Sequence, residues 1–454
     1  MTCQSPAPCD AAGTLPPSRG RHERFRARSP RDLFDLARAL EVELPWSDDL
    51  SILARPLDVA GLRLPNRMVA QPMEGFDSLP DGSPGDSAFR RYRRYAAGGN
   101  GLVWVEATAV DPSGQSSSRQ FRLHEDNVDR FAALADAIRE AARARGFPTP
   151  IVAIQLTHSG RYAKPGDVPA PLVARHYPPM DAKQGLAPDH PLVEDEVLDR
   201  LPDAFARTAK LARRAGFDAI DAKACHGYLL AELLSAHTRP GRYGGSFENR
   251  SRLYLSMVEA VRAAVPGMPL FARFGLADMI PYPYGFGVAR EDARILDSEE
   301  SFRLMTLLRA RGISLFNLTI GNPYWNSFYG RPFDIPLPGQ PTPPEHPLVG
   351  VARCLAATRM AQAAFPDTPM VLFGCGWLRH YFAPVAAGFL SGGGAMLAGQ
   401  GRGMFAYPDW AADVLAGQGM HPRKCCVTCS ICVQLKGRGK DVGCAVRDRE
   451  VYRL

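Results

Sequence analysis

Three reactive side chains fall within six residues, Lys223-Ala-Cys-His226-Gly-Tyr228. An ammonium and an imidazole can anchor a carbonyl or carboxylate, and a phenol can deliver a proton. The plainer reading has His226 capping a loop and Tyr228 packed in the core. A second group is made of thiols. Of ten cysteines, Cys425, Cys426, Cys429, Cys432 and Cys444 fall within 20 residues. Thiolates at such spacing bind zinc or an iron–sulfur cluster. Cys225, Cys354 and Cys375 show no partner pattern. A third group is rich in glycine: Phe373-Gly374-Cys375-Gly376 and Gly399-Gln400-Gly401-Arg402. Glycine lets a backbone approach a phosphate, and helix N-termini offer it free N–H groups. The same glycines equally suit plain tight turns.

The elements that must position these groups alternate along the chain. Short apolar runs lie at Met68–Gln71, Leu102–Ala107, Ile151–Leu156, Ala219–Ala224, Leu270–Phe274, Leu315–Thr319, Met370–Phe373 and Ala395–Ala398. Helical stretches lie between them at Asp86–Ala97, Asp126–Arg145, Leu201–Ala215, Phe247–Ala264, Ser298–Arg311, Leu348–Ala364 and Leu378–Phe389. Eight strands alternating with helices predict an α/β fold, a parallel sheet closed as a (β/α)8 TIM barrel. A doubly wound open sheet is the rival. Barrel active sites sit at the C-terminal strand ends, where Pro72–Glu74, Glu106–Thr108, Gln155–His158, Lys223–Tyr228, Arg273, Thr319–Asn322, Gly374–Gly376 and Gly399–Arg402 all fall. The loops Ala163–Glu196 and Asn322–Pro347 are long and proline-bearing, as binding loops often are.

Three segments are expected: a tail and short helix over 1–48, the barrel over 49–418, and a cysteine-rich extension over 419–454. Residues 1–29 read as a disordered tail and Pro30–Val42 as a short amphipathic helix. With 454 residues, 46% apolar and 22% charged, the chain is globular rather than disordered. No signal peptide is visible in Met1–Arg31, and clustered cysteines suit a reduced compartment, so a cytoplasmic location is expected. The uncharged stretch Tyr381–Gly401 contains Pro384 and five glycines before its last residue, and reads as helix, loop and strand rather than a membrane span. The net charge of +7 owes much to Arg19–Arg31 and Arg90–Arg94 and suits an anionic ligand. The run Phe89–Tyr95 reads as a solvated helix face, with no basic stripe for nucleic acid beside it.

Several motifs, in order over about residues 50–415, resemble the old yellow enzyme superfamily of FMN-dependent oxidoreductases. They are Asn66-Arg67 with Gln71-Pro-Met-Glu74, Gly101-Leu-Val with Glu106-Ala-Thr-Ala-Val110, Gln155-Leu-Thr-His-Ser-Gly-Arg161, His226-Gly-Tyr-Leu-Leu-Ala-Glu-Leu-Leu-Ser, and Tyr243-Gly-Gly-Ser-Phe-Glu-Asn-Arg250. The resemblance implies that Pro72, Met73, Glu74, Ala107, Gln155 and Arg273 lie at bound FMN, with Gly374, Gly376, Gly401 and Arg402 at its phosphate. It implies Tyr228 as proton donor. The substrate-anchoring pair, usually His with His or Asn, is here Lys223 and His226. A lysine favours a carboxylate or developing enolate; alternatively it points to solvent or pairs with a nearby acid.

The placement of the thiols after the barrel resembles the 2,4-dienoyl-CoA reductase and trimethylamine dehydrogenase branch, where a [4Fe–4S] cluster feeds electrons to FMN. Here either Cys425 or Cys426 opens the set, with Cys429, Cys432 and Cys444. The branch's further FAD and nucleotide domains are not seen before Leu454. The expectation is therefore FMN, a [4Fe–4S] cluster, electrons from an external partner protein or directly from NAD(P)H, and ene reduction of a small conjugated substrate, an anionic one being what Lys223 and the net charge suit. No nucleic-acid or membrane partner is expected, and an oligomer is open. Oxidative dehydrogenation or demethylation on the same scaffold is the alternative, with a zinc-stabilised non-catalytic barrel behind it.

Overall fold

The computed structural model describes residues 15–454. Eight parallel strands close into a barrel. They are β1 (Met68–Ala70), β2 (Leu102–Ala109), β3 (Ile151–Thr157), β4 (Ala219–Ala222), β5 (Leu270–Ala277), β6 (Ile313–Ile320), β7 (Met370–Leu372) and β8 (Leu397–Gln400). β8 returns to β1, with Gln400 opposite Ala70, so no sheet edge is left open. The open-sheet alternative is excluded.

Helices cover the outside: α1 (Pro30–Ala39), α2 (Asp86–Ala97), α3 (Val128–Ala144), α4 (Leu201–Arg214), α5 (Phe247–Ala264), α6 (Glu299–Ala310), α7 (Pro347–Ala364) and α8 (Phe382–Ser391). Two apolar layers result. One fills the space between strands and helices. The other fills the lower barrel with Val69, Trp104, Phe271, Leu315 and Leu397, and a hairpin of Leu57–Val59 and Leu62–Leu64 closes it with Val59 and Leu64. Packing thus seals the bottom and leaves the strand C-termini for chemistry. No helix among the described residues is long and apolar enough to cross a membrane.

The expected tail divides. Residues 1–14 lie outside the described residues. Residues 15–29 form no helix or strand but pack onto the barrel rather than trailing from it. Leu15 is buried, Phe25 meets Trp377 edge-on at 5.0 Å, and Arg353, paired with Glu345 at 2.6 Å, also holds the Pro16 carbonyl. Apolar side chains that dock and a carbonyl that satisfies a buried guanidinium are what the low-complexity reading of this segment missed. α1 is then opened by a capping box between Ser29 and Asp32.

The cysteine-rich extension lies against the barrel mouth. Its helix α9 (Ile431–Gly437) is flanked by loops tied to the barrel. Val442 N–H donates to the Gly75 carbonyl at 2.7 Å, and Ser430 Oγ to that of Ile335 at 2.7 Å. Arg90 donates to Asp448 at 2.7 Å, Arg94 also pairs with Asp448, and Arg119 pairs with Asp441. This corrects the solvated-face reading of Phe89–Tyr95. Tyr92 and Tyr95 are buried, Arg91 is buried between Asp77 (3.0 Å) and Glu106 (2.6 Å), and Arg90 and Arg94 clamp the extension.

Candidate active site

One cavity of about 750 Å3 opens at the C-terminal ends of the strands. Every residue expected at the cofactor lines it: Pro72, Met73 and Glu74 after β1, Ala107 on β2, Gln155 on β3, Arg273 on β5, Gly374 and Gly376 after β7, and Gly401 and Arg402 after β8. Lys223, His226 and Tyr228, after β4, share the same wall. Parallel strands of one barrel end at one rim, and this brings together residues up to 330 positions apart in sequence.

The floor is held by buried polar pairs. Gln155 Nε2 donates to Asp221 Oδ2 at 2.5 Å, and the Arg273 backbone N–H donates to Asp221 Oδ1 at 2.5 Å. Burial pushes the Asp221 carboxyl up to about 6 against these bonds. Gln71 donates to Asn317 at 2.9 Å. Arg273 Nη1 donates to the Pro72 carbonyl at 2.9 Å, but its Nε is buried without a partner, as is Nη1 of Arg402. Two buried cations with unused donors call for an anion. Beside them, Gly376 has no atom closer than 4.0 Å to where a Cβ would stand. A phosphate-bearing cofactor fits this cradle on both counts.

At the other side, the Glu74 carboxylate is the hub. It accepts from Tyr228 OH at 2.9 Å and from Lys436 Nζ at 2.8 Å, and lies 3.6 Å from Lys223 Nζ. Burial pushes its carboxyl up, but Lys436 and then Lys223 overcome this and hold it at about 2. Sequence places Glu74 with the cofactor residues; the fold instead spends its carboxylate on the reactive side chains. The Lys223 ammonium also lies 3.7 Å from the centre of the Tyr228 ring, so this lysine is neither solvent-facing nor free of an acid. Burial lowers its basicity, opposed by Glu74. Burial, then the nearby Glu74 charge, raises the Tyr228 phenol well above its ordinary value and keeps it protonated. His226 has the left-handed φ of 65°. Burial, followed by Arg273 and Lys223, keeps its imidazole neutral.

Lys436 and Tyr162 escaped the sequence reading, whereas Tyr324 lies in the Asn322–Pro347 loop expected to shape the pocket. Lys436 arrives on α9, one turn beyond Cys432, and this four-residue spacing was the only signal available. Tyr162 and Tyr324 stack at 3.9 Å over the pocket, one from each side of the long loops. Those loops also supply Lys164, Lys183 and Arg331 to its wall, as their length suggested.

The thiols separate into two sets. Cys426, Cys429, Cys432 and Cys444 line the main cavity; Cys425 does not. Cys425 is buried, donates to the His421 carbonyl at 3.4 Å and faces Arg447 and Arg379. The other four stand near one another: Cys429, Cys432 and Cys444 bear on Cys426, and Cys429 and Cys432 on Cys444. Among the described residues no group of three or more His, Cys, Asp or Glu side chains is arranged to hold a metal ion.

Residues 53–284 match the NADH:flavin oxidoreductase / NADH oxidase family. The NADPH dehydrogenase of Bacillus pumilus (strain SAFR-032) is 35% identical over 274 residues, covering 59% of this chain and 73% of that protein. Another, from Bacillus licheniformis, is 36% identical over 230 residues and is covered over 64% of its length. The chain therefore spans about two thirds of the curated relatives it matches. In three dimensions it is similar to a 2-naphthoyl-CoA reductase, with a TM-score of 0.69 at 20% identity over 88% of this chain and 57% of that one. At that identity the likeness speaks for the fold. With the family match spanning half the chain and the cradle built from the expected residues, this protein belongs to the NADH:flavin oxidoreductase / NADH oxidase family and is a flavin-dependent oxidoreductase of the old yellow enzyme type.

Proposed function

We propose that this chain reduces the C=C bond of a small substrate conjugated to a carbonyl or carboxylate, using FMN and electrons received through a [4Fe–4S] cluster. The observation that carries the reading is the meeting, in one cavity, of two arginines that each keep a buried unused donor with an ammonium, a neutral imidazole and a protonated phenol. Arg402, Gly376 and Gly401 would hold the FMN phosphate, and Pro72, Met73, Ala107, Gln155 and Arg273 its ring system. When bound, FMN supplies a hydride to the substrate β-carbon. Lys223 and the neutral His226 donate to the activating oxygen and stabilise the charge that develops there. Tyr228 delivers its proton to the α-carbon. Glu74 orients that hydroxyl, while Lys436 and Lys223 keep Glu74 ionised and so unable to act as the acid itself.

The donor set of Cys426, Cys429, Cys432 and Cys444 supports a cluster. Four thiols line one wall of the flavin cavity, and four cysteine thiolates are the usual ligand set of a [4Fe–4S] cluster. Such a cluster supplies electrons singly. Direct reduction by NAD(P)H is the second route, favoured by the NADPH dehydrogenases among the relatives.

The test is an anaerobic absorption spectrum with iron and acid-labile sulfide assayed on the same sample, followed by turnover of an enone and an enoate. Flavin bands, about four irons and four sulfides per chain, and C=C reduction are expected. Flavin without iron would move the electron entry to NAD(P)H. Iron and flavin with amine oxidation but no alkene reduction would overturn the ene-reductase reading.

A further inference from the structure

Residues 419–454 carry eight lysines and arginines against three acids, so five of the chain's seven net positive charges lie in this extension. The acids do little to offset them at the surface. Asp441 pairs with Arg119 and Asp448 with Arg90 and Arg94, all on the barrel side. Glu450 alone stands exposed among the extension's acids. On the outer side Arg438, Lys440, Arg447, Arg449 and Arg453 are exposed. Three of them join directly: Lys440 Nζ donates to the Arg453 carbonyl at 3.1 Å, and Arg453 Nε to the Arg449 carbonyl at 3.1 Å. Val451, between Arg449 and Arg453, is 46% exposed and gives the patch an apolar centre.

The patch lies directly over the thiols. The Arg447 backbone N–H donates to Cys444 Sγ at 3.3 Å, so the exposed arginine and the inward sulfur are three residues and one hydrogen bond apart. Arg402, from the phosphate cradle, feels Cys432 and Cys426 on the other side of the same thiol set. A line thus runs from a basic surface, through the sulfurs, to the flavin cradle. The extension's own Asp448 and Asp441 tie it to barrel arginines, while its outer basic side chains face water. A surface of one sign with a small apolar centre, above a redox group, is how a protein steers an oppositely charged carrier into a brief, productive encounter.

Resting on the cluster reading above, we propose that this face is the docking site of a small acidic electron-carrier protein. Two encounters, each transferring one electron from the reduced carrier, supply the two electrons. With two protons from solvent they balance the reduction of one C=C bond, and two carriers leave oxidised.

The probe is a small acidic [2Fe–2S] ferredoxin, with reduced methyl viologen as a carrier too small to need the patch. Binding to the holo-protein is read by calorimetry at low and moderate salt, and turnover is followed with each donor. The variant R438E/K440E/R449E/R453E changes only exposed residues outside the pocket. Expected are ferredoxin binding that weakens by about tenfold or more as salt rises, and a further loss of about tenfold or more in the variant. Iron, flavin and viologen-driven turnover should be unchanged. Binding indifferent to salt or to charge reversal overturns the docking face while leaving the cluster standing. Equally tight retention on duplex DNA or on anionic vesicles at the same salt also overturns it, since the surface would then be a general polyanion binder. A purified holo-protein without iron and sulfide refutes the cluster reading and this one with it.

Discussion

Replacing Lys436 by Met tests the ion network at the centre of the site. Lys436 Nζ lies 2.8 Å from Glu74, whose carboxyl titrates at about 2 instead of the ordinary 4.5. A group with that depression contributes roughly 3 kcal/mol of stability at neutral pH. The sign follows from linkage. The folded chain holds this carboxyl ionised more firmly than the unfolded chain does. The contribution is therefore complete above the unfolded value and is lost as pH falls from about 4.5 towards 2. Lys436 is the largest attraction holding Glu74 down, and Lys223 remains at 3.6 Å after its loss. Breaking a fully buried pair costs about 3–5 kcal/mol, but the Lys436 side chain is 30% exposed and a second ammonium stays, so about 2 kcal/mol is expected at pH 7. At pH 3 the difference between wild type and variant should shrink by roughly 1 kcal/mol, because the variant's less firmly held carboxyl is by then largely protonated in the folded state while the wild-type one is still largely ionised; the unfolded chains are alike and cancel. Urea unfolding of both proteins at pH 7 and pH 3 measures this. A difference below about 0.5 kcal/mol at pH 7, or one that stays the same at pH 3, would refute the assignment of Lys436 as the clamp on Glu74.

The remaining predictions concern the chemistry. Tyr228→Phe should lower the rate of enone reduction by about 10²–10⁴-fold while leaving FMN affinity within about twofold, measured by stopped-flow and flavin titration; equal losses in both would remove Tyr228 from proton transfer. Arg402→Met should weaken FMN binding by about ten- to a hundredfold, read by fluorescence titration, because a buried charged donor to the phosphate is worth about 1.5–3 kcal/mol. Cys426→Ala should lose iron and sulfide, whereas Cys425→Ala should keep both, since only the former faces the cavity; iron analysis that puts the loss on Cys425 would reverse the ligand choice.

The barrel was legible because its pattern is local. The expected spans Asp86–Ala97 and Phe247–Ala264 coincide with α2 and α5, and apolar runs marked all eight strands. The helix expected over Leu378–Phe389 starts later, at Phe382. Residues Cys375–Tyr381 instead make a tight 3-10 turn in which Arg379 takes the left-handed φ of 54°, a conformation with no marker in an arginine. The cofactor wall was legible because strand ends share a rim. What stayed hidden depends on contacts between distant parts of the chain. Arg90 and Arg94 read as solvated because their partner, Asp448, lies 358 and 354 residues away. Glu74 was grouped with its sequence neighbours because Lys436, 362 residues on, was not visible as a member of the site. The choice between Cys425 and Cys426 rests on which of two adjacent side chains turns inward, which spacing alone does not decide.

The reactive pocket is assembled from two pieces of chain with separate structural duties. The barrel provides rim, cradle and floor and most of the buried core, to which the last 36 residues add Cys425 and Val442. α9 then inserts one ammonium against a barrel carboxylate, about 6 Å along the helix from a cysteine that answers to different constraints. Such a division lets a lineage retune its chemistry in two independent ways. Substitutions in the rim alter what the floor accepts, and substitutions in a seven-residue helix alter the charge poised above it, with neither disturbing the packing that folds the other.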